Sequence, residues 1–253
     1  MTNNTRALPS IGMVLYRGPS MLDGQPIVAI LTGLGSGKGS KNKKTGGMLQ
    51  TWILPAHVRP TEAARTGADA AVCGTCPLRP SAGGGCYVTL FHAPLGVWKA
   101  DQRRRYDRFE PARVRGHRVR FGSYGDPAAV PTMVWALLAR YASGYTGYSH
   151  AWRTAPRSLA RYCMASADTV ADGAEARALG WRTFRVGETA SAGEILCPAS
   201  EAAGKRTTCD SCGLCAGTAS RARSIYIPAH GASEARARAT LARLEAEAEA
   251  EAA

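Results

Sequence analysis

The amino-acid sequence predicts an α/β protein folded as a partial or open (β/α) barrel. Short apolar runs of strand composition alternate with helical segments of about ten residues between residues 118 and 186, which is the pattern of parallel βα units. The chain has 253 residues, of which 45% are hydrophobic, so it can bury a core of this kind. In such a barrel the chemistry lies at the C-terminal ends of the strands.

The strands and helices are placed by apolar runs and by the residues that interrupt them. Residues 26–33 and 48–54 predict an N-terminal β-hairpin. The helix predicted at residues 169–179 is expected to be capped by Asp168 and stopped by Gly180. We expect further strands at residues 118–124, 144–152, 162–167, 181–186 and 224–228, and helices at residues 97–109, 132–141, 155–161 and 169–179.

Two changes of composition divide the chain. Residues 1–189 hold the predicted hairpin, a three-cysteine loop and the barrel. Residues 190–232 are rich in Gly, Ala, Ser, Thr and Cys and too poor in apolar residues for a core of their own, so they predict a loop-rich metal-binding module. Residues 233–253 predict a surface helix whose Glu-rich end lies at the unfavourable pole of the helix dipole.

The charge balance is strongly basic, with 32 Lys and Arg against 19 Asp and Glu and a net charge of +13. This balance favours contact with nucleic acid or another polyanion, although genomic base composition explains a high Arg and Ala content equally well. Residues 99–120 carry nine basic and three acidic side chains, with Tyr106 and Phe109 between them. They indicate either a nucleic-acid face or the outer face of a barrel helix.

Two further features bear on location and on phosphate binding. No apolar run approaches the roughly 18–20 residues of a membrane span, so we expect no membrane contact and a cytoplasmic protein. The loop 34–47 does not meet the pattern G-x-x-x-x-G-K-[ST], because Thr32 stands at the first Gly and Gly39 follows the Lys. We expect a hairpin loop whose basic side chains either touch a polyanion or are only solvated, and these are Lys38, Lys41, Lys43 and Lys44.

The strongest chemical signal is a cysteine triplet near the C-terminus. Cys209, Cys212 and Cys215 form C-x2-C-x2-C, and Cys197 precedes them. Successive x2 spacing suits one cubane, whereas zinc sites usually draw on separated cysteine pairs. We therefore expect these four cysteines to hold a [4Fe–4S] cluster, with a zinc site of the same residues as the alternative.

A second cysteine group lies in the loop after the predicted hairpin. Cys73, Cys76 and Cys86 give a C-x-x-C-P knuckle followed by a third cysteine. Eight cysteines divide evenly into two groups of four, so Cys163 is a candidate fourth ligand, although it also suits an ordinary buried strand position. The sequence thus predicts two clusters and all eight cysteines as metal ligands.

The order of these elements resembles the radical S-adenosylmethionine superfamily. A three-cysteine loop is followed by a strand ending in GSYGDP, a later strand ending in ASAD, and a C-terminal cysteine module. The resemblance implies that the three-cysteine cluster binds S-adenosylmethionine. It assigns Gly125 and Asp126 to the motif that receives the amino group, and places Ser166 and Asp168 near the ribose or substrate.

The chain also resembles uncharacterised cysteine-rich proteins of tailed bacteriophages and mobile elements. The segments that carry this resemblance are KKTGGMLQTWILP, CGTCPLRP, GGCYV, YGDPAAVP, YCMASAD and ILCPAS. It implies a protein located in the cytoplasm of the bacterial host. The resemblance supplies a family and no function.

Three functional hypotheses follow. The first is an iron–sulfur protein in electron transfer, redox sensing or cluster-dependent chemistry, served by a reductase or another electron donor. The second is a radical S-adenosylmethionine-like enzyme; it is placed after the first because the spacing here is C-x2-C-x9-C and the family's is C-x3-C-x2-C. The third is a zinc-stabilised nucleic-acid-binding protein. His150 is a candidate to reach a ligand at the mouth of the barrel and His230 to approach the C-terminal module, although a lone His is more often structural. No His–carboxylate pair is visible in the sequence.

Overall fold

A single nine-stranded sheet organises the described residues, 11–35 and 42–252, of this computed structural model. Its strands are β1 (Gly12–Pro19), β2 (Pro26–Thr32), β3 (Leu49–Pro55), β4 (Arg118–Tyr124), β5 (Gly144–Ser149), β6 (Met164–Ala167), β7 (Thr183–Val186), β8 (Glu194–Leu196) and β9 (Ser224–Ile227). They lie side by side in the order β1-β2-β3-β4-β5-β6-β7-β9-β8. The first three strands pair antiparallel and all later pairs are parallel, so the sheet is mixed, mostly parallel and open.

The helices lie in the connections between the strands, except for the last helix, which follows β9. These are α1 (Pro60–Thr66), α2 (Ala70–Cys73), α3 (Ala93–Gln102), α4 (Thr132–Tyr141), α5 (Val170–Ala178), α6 (Cys209–Cys212) and α7 (Glu234–Ala252). Parallel neighbours need such crossovers, because the chain must return to the same edge before each new strand. Within the described part of the chain, no helix combines the length and the apolar character needed to cross a membrane.

The two faces of the sheet have different surroundings. Along β4, Val119 and Phe121 are fully buried, and the Phe121 ring lies 4.9 Å from that of Trp135 on α4. The alternate residues Arg120 and Tyr124 face a cavity instead. Because successive side chains of a strand point to opposite faces, one face forms the main core with the helices and the other forms a cavity wall.

Most of the predicted elements are confirmed. The strand at 118–124 and the helix at 132–141 have the predicted bounds, and the predicted hairpin is the antiparallel pair of β2 and β3. The terminal helix is also present as α7. The mixed α/β class with a mostly parallel sheet is therefore as the sequence predicts.

Several predicted boundaries were wrong, each for a local reason. The helix predicted at 97–109 is α3, which begins earlier, with Pro94 in its first turn, and ends before Arg104, whose φ is 54°. The strand predicted to reach residue 152 ends at Ser149. The helix predicted at 155–161 is a 3₁₀ turn over Arg157–Arg161.

The cap of α5 is also corrected. Thr169, and not Asp168, is its N-cap: the Thr169 side chain accepts a hydrogen bond from the amide of Asp172, whose carboxylate in turn accepts from the Thr169 amide. The Asp168 side chain does not cap the helix and instead contacts His150. Of the lysines in the hairpin loop, Lys38 and Lys41 lie outside the described residues.

Candidate functional site

A cavity of about 620 Å³ opens on the face of the sheet that the helices leave uncovered. Its floor is formed by alternate residues of the parallel strands, among them Arg120, Tyr148 and Phe184. The loops after α2 and β8 supply its sides. Seven of the eight cysteines line this one cavity, and these are Cys73, Cys76, Cys86, Cys197, Cys209, Cys212 and Cys215.

The N-terminal cysteine group is formed by a tight loop at the end of α2. Cys73 is the last residue of α2, and the amide of Cys76 donates to the Cys73 carbonyl at 3.1 Å. The buried Asp69 holds the loop from below, because its carboxylate accepts hydrogen bonds from the amide and the hydroxyl of Ser81. The C-x-x-C-P sequence therefore turns its sulfurs toward the cavity.

The thiols of this group perturb one another. Burial raises the pKa of Cys73 well above its usual value, and the proximity of Cys76 and Cys86 raises it further. Burial also raises the pKa of Cys86 to about 11, with Cys76 adding to the effect. Too little positive charge offsets the negative charge that these thiols would carry as thiolates, so the pKa values of Cys73 and Cys86 are high. A bound metal ion would supply that positive charge and favour the thiolate forms.

His150 meets this group directly. Its Nε2 lies 3.7 Å from Cys76 Sγ and 3.2 Å from Asp168 Oδ1. Burial opposes protonation of the ring, but Cys76 and Asp168 outweigh it and raise the pKa of His150 well above the ordinary value. The sequence conceals this arrangement because Cys76 is 74 residues from His150 and Asp168 is 18 residues away.

The Asp126 carboxylate holds the backbone of the same region in place. It accepts hydrogen bonds from the amides of Ala128 (2.8 Å), His150 (2.7 Å) and Ala151 (3.1 Å). The side chain therefore fixes the backbone of His150 relative to the end of β4. Gly125, Asp126, Ser166 and Asp168 all border the cavity.

Cys163 is not brought to either cysteine group. It is fully buried and belongs to the main core on the helix-covered face of the sheet. Its sulfur packs so closely against Gly147 that a Cβ there would lie 2.7 Å away. The structure thus divides the cavity-lining cysteines into three and four.

The C-terminal group is held against the middle of the sheet by backbone hydrogen bonds. Cys209 and Cys212 bracket α6, whose N-cap is Thr208, and the amide of Cys209 donates to the Lys44 carbonyl at 2.8 Å. The amide of Gly147 on β5 donates to the carbonyl of Cys215 at 3.2 Å. Segment 190–232 is therefore joined to the sheet, to which it also contributes β8 and β9.

The thiols of this second group share the pattern of the first. Burial raises the pKa of Cys215 to about 12, and although a hydrogen bond from Tyr148 opposes this, Cys197 and Cys209 add to it. Burial also raises the pKa of Cys197. Among residues 11–35 and 42–252, no set of three or more His, Cys, Asp or Glu side chains is arranged to hold a metal ion.

Two basic side chains enter the cavity beside the C-terminal group. Lys44 Nζ lies 2.9 Å from His230 Nε2, and Arg120 donates to the Tyr87 hydroxyl at 3.0 Å. Burial lowers the pKa of Lys44, an effect that Cys197 and Cys209 oppose. His230 lines the same cavity as the C-terminal group, and so does Arg120, whose inward position the sequence does not predict.

The basic segment 99–120 offers little to a nucleic-acid base. Tyr106 and Phe109, which the sequence placed between the charges, pack against the main core. Arg113 is paired with Asp107 at 2.6 Å. Exposed aromatic rings are what stacking on bases requires, so the aromatic part of that prediction is not supported.

Comparison of the chain with protein-family models, with curated proteins and with solved structures gave no match. The resemblances to radical S-adenosylmethionine enzymes and to phage proteins therefore stay predictions.

Proposed function

We propose that this chain is an iron–sulfur protein with two [4Fe–4S] clusters facing one cavity, and that it carries out cluster-dependent chemistry on a small molecule bound there. One observation carries the proposal: seven cysteines from distant parts of the sequence line a single cavity, divided into three and four. Disulfide formation does not account for this arrangement, since all eight cysteines are free.

Thiols are the donor type that such clusters use, although the described residues do not hold three of them in metal-binding positions. Cys73, Cys76 and Cys86 would hold the N-terminal cluster, and the four cysteines from Cys197 to Cys215 would hold the C-terminal cluster. Thiolate sulfur is the ligand that iron–sulfur clusters use in proteins. When bound, each cluster supplies one-electron transfer. The mutual rise of the thiol pKa values supports the proposal, because the same thiols become favourable ligands once a cation offsets their charge.

The division into three and four favours chemistry over simple electron transfer. A four-cysteine group satisfies all irons of a cubane, whereas three cysteines leave one iron without a thiolate. His150 contacts the three-cysteine group, and these cysteines line the cavity. A small molecule in the cavity would thus be within reach of the N-terminal cluster and shielded from bulk water by the sheet and the two loops.

S-adenosylmethionine is a specific second candidate for the cavity. The parallel strands from β3 onward in the open sheet are compatible with a partial-barrel organisation, and the residues assigned by resemblance border the cavity. Both carboxylate oxygens of Asp126, however, already accept hydrogen bonds from backbone amides, so this side chain is not free to bind the amino group of the ligand. Gly125, Ser166 and Asp168 would then provide the contacts to this ligand.

The decisive experiment is anaerobic purification followed by iron, sulfide and zinc analysis. We expect roughly eight irons per chain, four for each [4Fe–4S] cluster. Cys73→Ala and Cys212→Ala should each retain about four irons, and the matched control Cys163→Ala about eight. A colourless, sulfide-free protein with about two zinc ions would overturn the proposal and favour the zinc hypothesis. Incubation of the reduced protein with S-adenosylmethionine, followed by product analysis, tests the second candidate.

A further inference from the structure

Four side chains form a connected basic wall on the side of the cavity next to the C-terminal cysteines. We call Lys44, Tyr87, Arg120 and His230 the cationic wall. Lys44 Nζ lies 2.9 Å from His230 Nε2, and the His230 ring stacks on Tyr87 with centroids 6.2 Å apart. Arg120 donates a hydrogen bond to the Tyr87 hydroxyl at 3.0 Å, so the four side chains contact one another in series.

Contacts with neighbouring side chains hold the Lys44 ammonium and the Arg120 guanidinium in position. His230 Nδ1 lies 3.0 Å from the Pro228 carbonyl, so Nδ1 is assigned the proton and Nε2 accepts from the Lys44 ammonium. The Arg120 guanidinium lies over the Tyr148 ring, 5.3 Å from its centroid. Each cation is therefore held in place before any ligand arrives, which lowers the entropic cost of binding one.

Neither cation has a carboxylate partner, although the Cys209 thiol lies near both and the Cys197 thiol near Lys44. Within the described part of the chain, no carboxylate forms an ion pair with Lys44 or Arg120. An ammonium has three donor hydrogens and a guanidinium five, so most remain available after the contacts to His230 and Tyr87. Two partly buried cations with spare donors form a site for an anionic group.

The remainder of the cavity is mostly apolar. Trp52, Val88 and Phe184 are among its lining residues, and the part of its volume of about 620 Å³ that the two clusters leave free suits only a small molecule. We propose that the cavity binds a small organic anion, with its carboxylate or phosphate on Lys44 and Arg120 and an apolar or aromatic body against the remaining wall. This inference rests on the proposed function, because it names the ligand class of the same cavity.

The test is calorimetric titration of the cluster-loaded protein under anaerobic conditions. The probes are phenyl phosphate, benzoate and the neutral benzyl alcohol. We expect at least one of the two anions to bind at least about tenfold more tightly than the alcohol, as one charge-assisted hydrogen bond provides. The stronger of the two anions identifies the headgroup as phosphate or carboxylate.

Variants locate the site. Lys44→Gln and Arg120→Gln should each weaken binding of the anion by about tenfold or more, and Lys44→Arg should restore most of it. The matched controls are Lys43→Gln, on the exposed neighbour of Lys44, and Arg140→Gln, on the exposed face of α4, and both should bind as the wild type does. Iron analysis of each variant separates loss of the anion site from loss of a cluster.

The outcomes are distinguishable. A fully loaded protein that binds none of the probes, or binds the alcohol as tightly as the anions, overturns the anion site and leaves the proposed function standing. Anion binding that persists in both glutamine variants also overturns it. An iron-free protein that still binds the anion through Lys44 and Arg120 sinks the proposed function and retains the anion site.

Discussion

The sulfur of Cys76 lies 3.7 Å from Nε2 of His150, whose ring is held against Asp168 and whose amide is fixed by Asp126. A hydrogen bond to a cluster sulfur stabilises the more negative, reduced state and so raises the reduction potential. We expect His150→Ala to lower the reduction potential of the N-terminal cluster while the iron content is retained. Redox titration followed by electron paramagnetic resonance measures this.

The control for this substitution is His57→Ala, because His57 is exposed and is not among the residues that line the main cavity. It should leave both potentials unchanged. A His150→Ala protein with an unaltered N-terminal potential would show that the contact with Cys76 is not maintained when the cluster is bound.

Cys163 provides a test of the division into three and four. Its thiol is buried against Phe121 and Gly147, on the face of the sheet opposite the cavity. Cys163→Ala should therefore leave the iron and sulfide content unchanged and lower the free energy of unfolding by about 1 kcal/mol, as for the loss of a small buried group. Metal analysis and denaturant unfolding check the two parts. Loss of four irons would make Cys163 a ligand and restore the even division.

The comparison of sequence with structure shows where local patterns suffice. The strand over 118–124 and the helix over 132–141 were predicted with their bounds because alternation and helical spacing are properties of the segments themselves. β1 was missed because a register shift between Val14 and Tyr16 interrupts the period of two. β8 was missed because it is three residues long.

The candidate site divides in the same way. The C-x-x-C-P and C-x2-C-x2-C motifs are local and identify five of the seven cysteines that line the cavity, whereas the meeting of the two groups in one cavity depends on the fold. The proximity of His150 to Cys76 and the inward position of Arg120 depend on which strands are neighbours, which spacing along the chain does not encode. Cys163 was assigned by counting cysteines, and tertiary packing places it in the core instead.

A buried ion pair connects the segment before the C-terminal cysteines to the sheet. Arg185 on β7 and Glu194 on β8 contact at 2.7 Å with side-chain exposures of 7% and 0%, and Glu194 also accepts from the Ser191 amide. Glu194→Ala leaves Arg185 charged, buried and unpaired, so we expect a loss of about 3–5 kcal/mol in unfolding free energy. The measurement is the denaturant midpoint.

Two further variants separate the possible reasons for such a loss. The double substitution Arg185→Met with Glu194→Leu removes both charges and should recover most of the stability. Glu247→Ala disrupts an exposed pair with Arg243 on α7 and should change it by no more than about 0.5 kcal/mol. Equal losses in the single and double variants would assign the effect to packing and not to the unpaired charge.

The turn after β4 depends on Gly125. Its φ is +81°, and a Cβ there would lie 2.7 Å from the Cβ and the carbonyl oxygen of Ile53 on β3. Gly125→Ala should cost more than the roughly 1–2 kcal/mol of left-handed strain alone, and should displace Asp126 and hence His150. Gly67→Ala is the matched control, because its φ is +88° and open space surrounds it. Similar losses in the two variants would contradict the close approach to Ile53.

The final prediction concerns removal of the clusters. The segment from Cys197 to Cys215 contributes only Cys197, Ala199 and Cys215 as buried apolar residues, all in a small satellite core. In the absence of metal it is also held by hydrogen bonds such as that from Arg182 to the carbonyl of Leu214 (2.7 Å). Metal binding to such a segment contributes directly to its folding free energy. The cluster-free protein should therefore be cleaved faster by trypsin after Lys205 and Arg206, which are exposed.

Cleavage after Arg140 is the internal reference and should be equally slow with and without clusters, because α4 packs on the core face of the sheet and Arg140 does not line the cavity. Mass spectrometry of the fragments over time gives both rates from a single digest. Faster cleavage at residues 205–206 alone means that the C-terminal cluster orders its own segment. Equal acceleration at Arg140 means that the clusters stabilise the whole sheet, and no acceleration at either place means that the four C-terminal cysteines hold no metal.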